Sequence, residues 1–156
     1  MADSRSAFSY GEVWSRIYGL SQRLQELGVT RERCVAVECS QNAGYMICEF
    51  AIQLLGGIFV PIEKNAAAGR LAEILGDTQA VLYIGKDPAK LSAALDTIQT
   101  SCGPSQHSAT PGFMDISRAA DFAYAPEDIP PPGEMLFPEA QQTAEILFST
   151  GTTGKS

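Results

Sequence analysis

Positive charge is scarce in this sequence. Lys and Arg number 11 against 18 Asp and Glu, a net charge of −7 with the one histidine neutral. No Lys/Arg cluster offsets that balance, so the footprint that DNA and RNA binders need is missing, and nucleic acid is not expected as a partner. Metal-ligating residues are few as well. Cys34, Cys39, Cys48 and Cys102 form no C-x-x-C pair, and His107 is the only imidazole, which gives little support for zinc. Cys34 and Cys39 share one extended segment that holds them apart, so a disulfide between them is not expected. The cysteines read as buried or incidental thiols of a reducing compartment. No apolar run approaches the roughly 18–20 residues of a membrane span. The opening MADSRSAFSY has no stretch suited to a signal peptide. A cytoplasmic protein without a membrane span is expected.

Apolar material, by contrast, is ample. With 45% apolar residues among 156, the sequence can fill the core of one domain and bury roughly 68–70% of its extended surface. Disorder throughout is excluded.

Ser9-Tyr10-Gly11-Glu12 has the form of a capping box. Val13, Ile17, Leu20, Leu24 and Leu27 then recur at helical steps, and Gly28 stands where a left-handed C-cap costs least. Cys34 to Cys39 predicts a buried strand. Asn42 caps a second helix over 45–55, Gly56-Gly57 stops it, and Ile58 to Ile62 is the next strand. A third helix runs from Ala68 to Leu75 and ends at Gly76, followed by a strand over 80–84. Asp87-Pro88 opens a helix carrying Leu91, Leu95 and Ile98 on one face. Such alternation predicts an α/β fold, a mostly parallel sheet flanked by helices. Residues 100–143 are loop-rich: 100–112 holds Ser, Thr, Gly and Pro, and 124–138 carries Pro130-Pro131-Pro132. Ala144 to Phe148 is a last short strand.

It runs directly into Ser149-Thr150-Gly151-Thr152-Thr153-Gly154-Lys155-Ser156. Two glycines among hydroxyl residues let successive backbone N–H groups converge, and the hydroxyls add adjustable donors. Such a segment is either a plain Gly/Ser/Thr turn or a loop that binds phosphate. Gly154-Lys155-Ser156 matches the end of a Walker A loop, but Ser149 stands where that motif needs glycine, and no helix follows in the sequence. A P-loop NTPase-like phosphate binder is therefore a minor alternative.

Phe148 to Gly154 resembles the signature loop of the adenylate-forming (AMP-binding) enzymes: acyl-CoA synthetases, luciferases and peptide-synthetase adenylation domains. Phe8-Ser9-Tyr10-Gly11-Glu12-Val13 is similar to the opening segment of that family. Leu55-Gly56-Gly57-Ile58-Phe59-Val60-Pro61-Ile62 is similar to its second segment, and Arg70, Ile74 and Asp77 follow in the family's R-x-x-x-I-x-x-D spacing. The segments occur in the family's order across almost all of 1–156.

Two local departures stand out: Ser156 occupies the place of the usual proline, and Glu63-Lys64-Asn65-Ala66 replaces an acidic-Pro sequence. The Lys-Gly that closes the signature, the acyl pocket, the adenine and ribose contacts and the C-terminal domain are not within these residues. The resemblance thus implies the N-terminal part of a ligase that forms an acyl-adenylate and pyrophosphate from a small-molecule carboxylic acid and ATP, and then a thioester. Ser149, Thr150, Gly151, Thr152, Thr153 and Gly154 would hold the β- and γ-phosphates with Mg²⁺ sharing the charge. The thiol would come from coenzyme A or a carrier phosphopantetheine. Residues 1–156 alone are expected to be inactive; the other reading is a non-catalytic α/β subdomain or interaction fragment.

Other conspicuous residues have plainer explanations. Trp14, Tyr18 and Tyr45 lie on helices whose apolar period accounts for them as packing. Arg70 and Asp77 read as capping or surface groups rather than an acid–base pair. His107 stands in a polar, Pro/Gly-containing stretch with no carboxylate partner in view.

Overall fold

A computed structural model describes residues 9–102, 110–131 and 144–147. Helix α1 (Tyr10–Glu26) starts as its capping box dictates: the Ser9 hydroxyl accepts from the Glu12 N–H, and the Glu12 carboxylate accepts from the Ser9 N–H, each at 3.2 Å. Its buried stripe is Ile17, Leu20 and Leu24. The turn beyond it uses Gly28 at φ 99°, a conformation that side chains resist.

Strand β1 (Cys34–Glu38) leads to α2 (Ala43–Leu54), where the Asn42 side chain accepts from the Tyr45 N–H at 3.2 Å. Next come β2 (Ile58–Ile62), α3 (Ala68–Thr78), β3 (Leu82–Gly85), α4 (Pro88–Cys102) and β4 (Gly112–Asp115). All pairs are parallel, in the order β2-β1-β3-β4. The predicted alternation is therefore the observed fold.

Because the chain crosses from β2 back over β1 to β3, α3 lies on the face opposite α2. One core holds Leu20, Leu24, Ile47, Ile52 and Phe59 beneath α1 and α2; the other holds Val60, Ile62, Leu71, Leu75 and Tyr83 beneath α3 and α4. Covered on both faces, β1 is buried at every position, as parallel sheets require. Burying each large apolar side chain contributes roughly 1.5–3 kcal/mol.

Three expectations need correction. Helix α3 does not end at Gly76 but continues to Thr78. It stops at Gln79, which adopts a left-handed conformation at φ 54° and bonds the Gly76 carbonyl through its side-chain amide at 2.9 Å. Helix α4 continues to Cys102, into the segment expected to be a loop. Finally, β4 lies within that same loop-rich stretch; it is four residues long and buries only Met114 well. After β4, a 3₁₀ turn (Ile116–Arg118) leads to residues 122–124, which lie against α1. Ser15 locks them there, accepting from the Tyr124 N–H at 2.9 Å and donating to the Tyr124 carbonyl. His107 lies outside the described residues. Among those residues, no helix is long and apolar enough to cross a membrane.

Candidate functional site

In open parallel sheets, ligands bind beyond the carboxyl ends of the strands, where the strand order reverses. Here that point lies between β1 and β3, and the chain fills it with its own side chains. Glu38, the last residue of β1, is 5% exposed. It accepts from the Tyr83 hydroxyl at 3.2 Å and from the Lys90 ammonium of α4 at 3.3 Å. Burial, reinforced by the Glu38 charge, raises the Tyr83 phenol pKa far above its usual range, so it remains a donor. A buried charge with two partners is tolerated; with one removed it becomes costly.

The other edge of the sheet carries the strand that enters the Gly/Ser/Thr segment. Residues 144–147 run parallel to β2, with Glu145 opposite Phe59. The Phe59 N–H donates to the Ala144 carbonyl at 2.9 Å, and the Ile146 N–H donates to the Phe59 carbonyl at 3.0 Å. The Ile58 N–H points the other way, toward the Arg33 carbonyl at 2.8 Å. The two-residue period of a strand therefore turns the Pro61 nitrogen toward Ile146, and that nitrogen has no hydrogen to give. Among the described residues the pairing consists of this one bridge. Ser149, Thr150, Gly151, Thr152, Thr153 and Gly154 themselves lie outside the described residues, but the strand before them is parallel to the sheet and leads toward its carboxyl end.

Beside this strand, the Tyr45 hydroxyl lies 3.4 Å from the Cys39 sulfur, and the Tyr45 ring meets Phe59 edge-on with centroids 5.5 Å apart. Glu49 lies one helical turn further along α2. Burial first, and then the Glu145 charge, raises the Glu49 carboxyl above its ordinary pKa. At the opposite edge, α1, β4 and residues 118–124 enclose a concavity of about 700 Å³. Its arginines are engaged: Arg23 with Glu26 at 3.0 Å and Arg118 with Asp121 at 3.5 Å.

Trp14 and Tyr45 pack against the core, and Tyr18 meets the Tyr124 ring edge-on. Arg70 pairs with Glu63 and Glu73, each at 3.6 Å, while Asp77 is exposed. Cys34, Cys39 and Cys48 are unbonded thiols. Sequence reasoning missed Glu38–Tyr83–Lys90. The one available signal was a glutamate closing the otherwise apolar run Cys34 to Cys39.

The whole of 1–156 matches the family model described as AMP-binding enzyme. The chain is 26% identical to the mitochondrial malonate–CoA ligase ACSF3 of Homo sapiens, over 99% of the chain and 26% of that protein. To enterobactin synthase component F of Escherichia coli strain K12 it is 25% identical, over 99% of the chain and 10% of that protein. Apo MatB from Rhodopseudomonas palustris shares the fold with a TM-score of 0.71 at 18% identity, covering 96% of this chain and 28% of that one. The N-terminal subdomain of Klebsiella oxytoca NpsA gives 0.69 at 18% identity, covering 97% of this chain and 34% of that one. The chain thus spans about a quarter or less of these curated relatives' length.

Proposed function

This chain belongs to the AMP-binding enzyme family, and we propose that it forms the N-terminal part of a ligase that activates a carboxylic acid with ATP. The carboxylate oxygen attacks the α-phosphorus, the bond to the β-phosphate oxygen breaks, and pyrophosphate leaves. The acyl group then passes to a thiol, of coenzyme A or a carrier phosphopantetheine, and AMP is released.

The observation that carries this reading is the parallel bridge between Phe59 and Glu145, which directs the strand before Ser149 toward the carboxyl end of the sheet. There Ser149, Thr150, Thr152 and Thr153 would offer hydroxyl donors to the departing phosphates, while Gly151 and Gly154 would let the backbone approach. When bound, Mg²⁺ shares the charge that builds on pyrophosphate; none of the described residues is assigned to it. The acid substrate is selected by residues outside 1–156. The unpaired thiols support a reducing compartment.

The test is ATP–pyrophosphate exchange by the polypeptide that contains this chain, run against a panel of carboxylic acids. Exchange that requires one class of acid and is abolished by Gly151→Val is the expected result. Acid-independent ATP hydrolysis, unaffected by that substitution, would overturn the proposal.

A further inference from the structure

The concavity of about 700 Å³ beside β4 falls within the size range of cavities that hold a small molecule. Its walls are braced by contacts that owe nothing to a ligand. On one side stands α1 from Gly19 to Leu27, and on the other the chain that leaves β4. Asp115 shapes the first turn of that chain, its carboxylate accepting from the Ser117 N–H at 2.9 Å and the Ser117 hydroxyl at 2.8 Å. Ser15 then holds both backbone groups of Tyr124, whose ring meets Tyr18 edge-on with centroids 5.1 Å apart. Gly19, lacking a side chain, lets the Phe122 carbonyl pack directly on the helix. A cavity braced in this way loses little freedom when a ligand enters.

Leu27, Phe113, Met114 and Phe122 give the lining its apolar surface, and each wall adds an arginine, Arg23 from α1 and Arg118 from the turn after β4. A guanidinium has several N–H donors in one plane. The Arg23–Glu26 pair engages one nitrogen at 3.0 Å, and the Arg118–Asp121 pair one nitrogen at 3.5 Å. All four side chains are exposed, and exposed pairs of this kind stabilise little. Of the carboxylates in the lining, Glu26 already faces Arg23, and Asp115 is committed to Ser117. Donors therefore exceed acceptors, and a ligand rich in acceptors completes the site.

We propose that this concavity is a binding site for an organic anion with an apolar body, its carboxylate or phosphate head held between Arg23 and Arg118.

The apolar body rests on Phe113, Met114 and Phe122, while the head draws the two guanidinium groups away from Glu26 and Asp121. That exchange costs little, because a weak exposed pair gives way to a charge-assisted bond on a bound ligand. The planar fork of each arginine matches two oxygens of a carboxylate or phosphate, so an anion fits where a cation of the same shape does not. The site is separate from Ser149 to Gly154. It lies beside β4, whereas the strand leading to that segment pairs with β2, at the other edge of the β2-β1-β3-β4 sheet. The proposal does not depend on reading Ser149 to Gly154 as a phosphate loop, and its test uses no nucleotide.

The test is titration of the 156-residue chain at neutral pH with decanoate, kept below its micelle concentration, while backbone amide shifts are followed by NMR. Decyltrimethylammonium, a cation with the same length of alkyl chain, is the comparison. Decanoate should give saturable shifts at Gln22, Arg23, Phe113, Asp115 and Phe122, and the cation should bind at least tenfold more weakly. Arg23→Gln and Arg118→Gln alter exposed positions and leave the fold intact. Each should weaken decanoate binding by about tenfold, the loss of one charge-assisted contact. Equal affinity for the cation, undiminished binding in both variants, the absence of saturation, or shifts confined to other faces of the molecule would each overturn the site.

Discussion

Phe59 holds the strand ahead of the signature segment through both of its backbone groups, giving its N–H to Ala144 and accepting the N–H of Ile146. Two residues later Pro61 faces the same edge without a donor. Among the described residues, the sheet therefore engages the incoming strand at the Phe59 rung and has no donor to offer it at Pro61.

Pro61→Val supplies the missing donor to the Ile146 carbonyl. The backbone N–H gained at position 61 should exchange markedly more slowly than an unprotected amide, and the pairing with 144–147 should lengthen. An intrinsic exchange rate for that N–H would show that position 61 does not face the Ile146 carbonyl.

A methyl group at Gly19 would lie 1.3 Å from the Phe122 carbonyl oxygen, which no side-chain movement relieves. Gly19→Ala must therefore displace 122–124 and the Ser15–Tyr124 bonds. A net loss of about 1–3 kcal/mol is expected in urea unfolding, outweighing the helix-propensity gain of about 1 kcal/mol. Gly76→Ala is the control. It sits within α3 with nothing inside 4 Å, and should stabilise by about 0.5–1 kcal/mol.

Lys90→Met leaves Glu38 buried with Tyr83 as its remaining partner. Breaking a buried pair costs roughly 3–5 kcal/mol. The Lys90 side chain is 20% exposed, so the lower end is expected. Tyr83→Phe should cost about 1 kcal/mol, since Lys90 still neutralises the carboxylate. The double variant Glu38→Met with Lys90→Met should recover much of the loss. Equal stability of Lys90→Met and the unaltered chain would mean that water reaches Glu38.

Thiol chemistry separates the described cysteines. Burial pushes the Cys48 thiol up to about 12 and raises Cys34 as well, whereas Cys39 is only half-buried. Cys39 should be alkylated first and Cys48 last, measured by peptide mass spectrometry after native labelling. A raised acid pKa destabilises the fold as pH increases: Cys48 ionises in the unfolded chain first, so stability should decline as pH rises from the ordinary thiol range toward about 12. Replacing Cys48 with Ala should remove part of that decline.

Local chemistry made much of this fold legible. Ser9 with Glu12, Asn42 and Asp87 each cap a helix through atoms within three residues, and Gly28 marks a turn that needs positive φ. Gly76 misled because glycine is permitted in a helix as well as beyond it; the stop came from Gln79. The β4 strand escaped notice because only Met114 of its four residues is well buried, too few for a two-residue pattern. At the candidate site, glycine and hydroxyl content identified the segment 149–154. The approach of its leading strand to β2, and the pairing of Glu38 with Lys90 across 52 positions, follow from strand order, which no local pattern encodes.

The central claim is that a carboxylate oxygen becomes bonded to the α-phosphorus of ATP. Supplying the polypeptide that contains this chain with its carboxylic acid labelled by oxygen-18 tests it directly. In acyl-adenylate formation the attacking oxygen stays on phosphorus when the thiol displaces AMP, so mass spectrometry should find one labelled oxygen in AMP and unlabelled pyrophosphate. Label recovered in orthophosphate, with ADP as the nucleotide product, would place the attack on the γ-phosphate and contradict the account.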